Sequence, residues 1–141
     1  MANKTRIHAN FASSSNLYVD TTNSRVGVGT TVPSTTLQVS GTITCTDINS
    51  TSDIKLKENI HQIKDPLEKV LQINGVGFRW KDTKEDAIGV IAQDIEEVIP
   101  EVVKNNDHTK TVNYNGLIGV LIEAIKEQQR QIEELKKQIN N

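Results

Sequence analysis

Ser52, Lys55 and Lys57 are the residues whose types and spacing could do chemistry, within Ser50-Thr51-Ser52-Asp53-Ile54-Lys55-Leu56-Lys57-Glu58-Asn59. A serine hydroxyl becomes a nucleophile when a base takes its proton, and a neutral lysine amine is such a base. That amine is neutral at physiological pH only where burial or a nearby cation lowers its pKa, and Lys55 beside Lys57 supplies a cation. On a continuous helix Ser52 and Lys57 stand roughly 140° apart, so this pair needs a bend. Ser52 with Lys55 suits a helix better. Spacing alone assigns no catalysis, because a serine near a lysine is common.

Other chemistries find little support. The one cysteine, Cys45, has no internal disulfide partner. His8, His61 and His108 are scattered, form no zinc-ligand cluster and read as surface or turn residues. No metal or cofactor site is expected. A net charge of −2 gives no electrostatic case for nucleic acid. No apolar run reaches the roughly 18 residues that would span a bilayer, which excludes a membrane protein. Met1–Ser15 lacks the apolar core of a signal peptide, which argues against Sec-type secretion. The aromatics Phe11, Tyr18, Phe78, Trp80 and Tyr114 are few and spread out. Most read as core residues rather than as a glycan-binding tip.

The elements that must hold the junction differ on its two sides. Residues 1–51 carry five charged side chains (Lys4, Arg6, Asp20, Arg25, Asp47) among many Ser, Thr and Asn. Their apolar residues come in short bursts, Leu17–Val19, Val26–Val28, Leu37–Val39 and Ile43, separated by turn residues. This reads as short strands that close a core only by packing or intertwining with other copies. The alternative is a disordered Ser/Thr-rich leader.

Residues 52–141 hold most of the charge and the long aliphatic runs. Asp65-Pro66-Leu67-Glu68 reads as a capped helix start, with Leu67, Val70 and Leu71 on one face. Val76–Trp80 and Ala87–Ile91 read as strands joined by a polar turn, and Asp94–Ile99 as helical turns stopped by Pro100. Thr111–Tyr114 reads as a strand, after which Asn115 caps a helix over 116–139. In that helix Ile118, Leu121, Ile125, Gln128, Ile132, Leu135 and Ile139 form a heptad seam, with isoleucine at every a position. The first turn is broadly apolar and the later turns narrow. The helix is therefore expected to pack on its own domain at its start and to become a coiled coil at its end. Ile at a with Leu at d leans toward two strands, and Gln128 does not decide between two and three. With 35% hydrophobic and 4% aromatic residues, a single copy has little to bury, so an obligate oligomer is expected.

Four ordered motifs carry a resemblance. They are Ser52–Ile60, Gly77–Lys81, Gly89–Val103, and Val112–Leu117 running into Leu121–Glu127. Together they resemble the intramolecular chaperone domain of endosialidases and phage tail spikes, the peptidase S74 family. Arg25–Thr31 with Pro33, and Leu37–Gly41, are similar to the repeat of phage fibre stalks. The resemblance implies an α+β chain: a thin intertwined β stalk over 1–51, and a small mixed α/β chaperone domain over 52–141. The C-terminal helix would form a trimeric coiled coil. It further implies a homotrimer in a virion tail fibre or spike, assembled in host cytoplasm and able to meet other tail proteins. Ser52 falls on the family's nucleophile and Lys57 on its lysine partner, with Thr51–Ser52 as the bond cut. Lys55 stands where the family often has arginine. The expected function is a chaperone that trimerises and aligns the fibre segment, then releases itself by autoproteolysis. A non-cleaving trimerisation tip is the alternative.

Overall fold

The computed structural model describes residues 16–106 and 109–140. His8, Phe11 and His108 lie outside the described residues. The chain divides into two units, Met1–Leu56 and Lys57–Asn141.

The first unit is a three-stranded sheet in the order β1 (Leu17–Asp20), β2 (Arg25–Val28), β3 (Leu37–Val39). β1 and β2 are antiparallel, with Leu17 opposite Val28, whereas β2 and β3 are parallel, with Val26 opposite Leu37. Asp20 makes the first turn: its Oδ1 accepts the N–H groups of Thr22 and Asn23, each at 3.0 Å. Its Oδ2 accepts the Asn23 side-chain amide at 2.8 Å. These bonds, that amide first, hold the Asp20 carboxyl below its ordinary range. A parallel pair usually needs a crossover of about a dozen residues. Here residues 29–36 suffice, because the chain doubles back through buried Pro33, whose carbonyl accepts Arg25 Nη1 at 2.9 Å. Gly29 sits at φ +70°, and an added Cβ would stand 2.9 Å from the Ser40 carbonyl oxygen. The burst at Ile43 forms no strand; it is an exposed residue in irregular chain. Among the described residues of this unit only Gly27 and Pro33 are buried.

The second unit is mixed α/β. It runs α1 (Pro66–Gln72), β4 (Val76–Arg79), β5 (Asp86–Gly89), α2 (Ala92–Val98), a 3₁₀ turn (Pro100–Val102), β6 (Val103–Asn106), β7 (Thr109–Val112) and α3 (Tyr114–Ile139). β4–β5 and β6–β7 are separate antiparallel ribbons. Ile95 is fully buried on α2 and packs with Ile99, Val102 and Val120. Ile63, Val70, Val90, Val112 and Leu117 close around that cluster.

Several local expectations are corrected. Asp65 adopts a left-handed conformation (φ 49°, ψ 48°) and its side chain makes no cap bond to α1. Leu71 points to solvent while Leu67 and Val70 are half-buried. The strand expected to reach Ile91 ends at Gly89, because Ile91 is the N-cap residue of α2 and its carbonyl accepts the Ile95 N–H. The last strand ends at Val112. Asn113, rather than Asn115, caps α3, its side chain accepting the Gly116 N–H. Trp80 and Tyr114 are more than half exposed, so they are not core residues. The Trp80 ring meets Phe78 edge-on at 5.0 Å. α3 is long but amphipathic, and no helix among the described residues is long and apolar enough to cross a membrane.

Candidate functional site

Thr51 and Ser52 lie in exposed irregular chain just before a 3₁₀ turn at Ile54–Leu56. Asp53 builds that turn: its Oδ1 accepts the Lys55 N–H at 2.9 Å and its carbonyl accepts the Leu56 N–H at 3.1 Å. A short polar residue at the head of a tight turn does this readily, because its carboxylate reaches the N–H two residues on. Lys55 lies inside the turn. The turn, with Thr51 and Ser52, ends the first unit; Lys57 opens the second and is exposed.

After Lys57 the chain bends at Asn59, which has φ +53°, and a ring nitrogen of His61 lies 2.8 Å from the Asn59 carbonyl oxygen. The segment then lies against α3. Gln62 Nε2 donates to Glu123 Oε2 at 3.3 Å, and the Leu67 N–H donates to Glu127 Oε2 at 3.3 Å. Lys126 donates to Glu123 at 2.6 Å; that bond first, and Gln62 second, keep the Glu123 carboxyl below its ordinary range. A cleft of about 600 Å³ beside this segment is lined by His61, Ile63, Lys64, Ile99, Val102 and Val120.

α3 presents two stripes one residue out of phase. Leu117, Val120, Ala124 and Glu127 face the helix's own unit, with Val120 and Ala124 each 4% exposed. Gly116 belongs to the same contact, since an added Cβ would stand 2.6 Å from Val102 Cγ1. Ile118, Leu121 and Ile125 of the heptad seam are 53%, 45% and 64% exposed over the same turns. The helix thus packs on its unit over its first half, as expected, and already bares its seam beside that contact. Beyond Glu127, residues 128–140 are all exposed, including Ile132, Leu135 and Ile139.

Residues 52–104 match the family profile described as the chaperone of endosialidase, peptidase S74. These residues belong to the endosialidase-chaperone family. The long tail fibre protein Gp37 of Salmonella phage S16 is 37% identical over 111 residues, 70% of this chain and 15% of that protein. Gp37 of Enterobacteria phages K3 and T2 is 32% identical over 98 residues, 62% of this chain. The match takes up 8% of the K3 protein and 7% of the T2 protein, so the chain spans only a small part of these relatives. The profile begins at Ser52 and covers β4, β5 and α2 of the chaperone domain. Sequence reasoning missed Glu123 and Glu127. Their four-residue spacing on the face beside the seam was the available signal, but nothing in the sequence named Gln62 and Leu67 as their partners.

Proposed function

We propose that this chain is a fibre segment of a virion tail with a chaperone domain that trimerises it, aligns three copies and then cuts itself away. One observation carries the reading: in the unit whose earlier part matches this family, the α3 seam stays bare while Val120 and Ala124 on the adjacent stripe are buried at home. A bare isoleucine seam at heptad spacing is stabilised by burial against copies of itself. The β1–β3 sheet, with almost nothing buried in one copy, is the element in need of alignment. Strands that pair between chains form slowly, and a trimer at one end raises their effective concentration.

Cleavage falls at Thr51–Ser52. Ser52 Oγ attacks the Thr51 carbonyl carbon while the Lys57 amine takes the hydroxyl proton and passes it to the departing Ser52 nitrogen. The C–N bond breaks and an ester to Ser52 Oγ forms. Water then hydrolyses the ester, leaving a Thr51 carboxylate and regenerating the Ser52 hydroxyl. Lys57 is exposed in one chain, so on this reading neighbouring copies enclose the dyad when the fibre assembles. Removal of the clamp makes the assembled fibre kinetically hard to reverse.

That same exposure of Ser52 and Lys57 favours a second reading, a trimerisation tip that stays attached. Intact-mass measurement on purified protein decides between them. The first reading expects fragments of residues 1–51 and 52–141, and one uncut chain for Ser52→Ala and Lys57→Ala. An uncut wild-type chain in trimeric form selects the second.

A further inference from the structure

We infer that Glu123 and Glu127 are positioning residues, two carboxylates on α3 that latch the segment between Lys57 and α1 and so set where Lys57 stands. The role in cleavage rests on the reading above; the latch rests on geometry within the second unit alone.

Three positions one turn apart on α3 meet the chain here, two of them this segment and the third the first turn of α1. Beside Gly119 lies Ile63, whose Cδ1 would be 3.8 Å from an added Cβ. Glu123 accepts from the Gln62 amide, and Glu127 accepts from the Leu67 N–H. Spacing of four residues puts these positions on one face of a helix, and it is not the seam face. Glu127 also supplies α1 with the carboxylate that Asp65 does not, because left-handed Asp65 makes no cap bond. Lys126 steadies Glu123 from the same helix. Between the latched Gln62 and Lys57 lies the bend at Asn59, fixed at φ +53° and followed by His61 against the Asn59 carbonyl. Lys57 stands five positions before Gln62, so a displacement at Gln62 is passed toward Lys57 along this short bend. Hydrogen bonds to a carboxylate are stronger than neutral ones, so removing the charge loosens the segment without opening the core around Ile95.

The test uses the full chain with Glu123→Gln, Glu127→Gln, Gln62→Glu, and the exchanged pair Gln62→Glu with Glu123→Gln. Hydrogen exchange over residues 57–64 is followed in a Ser52→Ala background, and single-turnover cleavage in the otherwise native chain. Gln62→Glu sets like charges against each other. It is expected to speed that exchange and slow cleavage about tenfold, with Glu123→Gln and Glu127→Gln a few-fold behind. The exchanged pair restores the bond with donor and acceptor reversed, and is expected to recover both readouts at unchanged oligomeric state. The inference is overturned if exchange over 57–64 does not respond to Gln62→Glu. It is equally overturned if cleavage falls only in step with thermal stability and the exchanged pair recovers nothing. If the wild-type chain is not cut at all, the cleavage reading falls, and the exchange measurements alone decide the latch.

Discussion

The two units solve the problem of holding a chain together in opposite ways. Residues 16–56 are held by hydrogen bonds and turns: Asp20 on Thr22 and Asn23, Arg25 on Pro33, Gln38 on Ser34. Burial contributes little there, with Gly27 and Pro33 the only buried residues described. The chaperone domain instead gathers Ile95, Ile99, Val102 and Val120 into a core and hangs its ribbons and helices on it. Hydrogen bonds between groups that water could also satisfy contribute modestly, whereas apolar burial is the main favourable term of folding. The difference teaches that the chaperone domain carries its own driving force. The sheet of the first unit has little buried surface of its own and rests on its hydrogen bonds and turns.

The harshest way to break this comparison is to charge the seam. Ile125→Asp with Ile132→Asp should abolish oligomers in light scattering and strip amide protection from β1–β3, while β6–β7 keeps its protection. Equal loss in both units would show that the core around Ile95 also needs neighbours. Ile95→Ala comes next. It removes the fully buried side chain and should lower the unfolding free energy of the chaperone domain by about 2–5 kcal/mol in urea titration. A smaller effect is expected from Gly29→Ala, about 1–3 kcal/mol, from forcing a side chain into the left-handed region. Its loss should appear as faster exchange in β1–β3 and leave the chaperone core untouched.

The smallest effect is one of pH. Lys110 first, then Asn105, hydrogen-bond Glu96 and hold its carboxyl below the ordinary glutamate value. A lowered carboxyl adds stability that is full above the unfolded-state value and is lost as pH falls through the folded one. Protection of β6–β7 should therefore drop below about pH 4.5. Glu96→Gln should flatten that part of the profile, measured by hydrogen exchange against pH. No such dependence on Glu96 is expected in β1–β3.

Legibility followed the physics of each element. The seam of α3 was readable because seven residues repeat at heptad spacing, a pattern that survives whatever surrounds it. β1, β2 and β3 were readable as apolar bursts between turn residues, but Ile43 gave the same signal without a partner strand. β6 was not readable: Val103-Lys104-Asn105-Asn106 has one apolar residue and becomes a strand by pairing with Thr109–Val112. Two asparagines stood ready to cap α3. Asn113 won because its N–H is already fixed by a 2.7 Å bond to the Val102 carbonyl. Of the candidate site, Ser52 and Lys57 came from the resemblance, since spacing alone left them indistinct. Glu123 and Glu127 stayed hidden because their partners lie about sixty residues earlier in the chain.

Amino-acid order alone determined the periodicities: a heptad stripe, short strand bursts, a proline at a helix start and a break in composition near Ser50. These are local properties, set by how side chains project from neighbouring backbone. Tertiary structure decided what those patterns face. It turned Val120 and Ala124 homeward and left Ile118 and Ile125 bare, ran β3 parallel to β2, and gave the start of α1 a carboxylate from α3. Which face meets which partner depends on contacts between residues far apart in the chain, and no local window contains them.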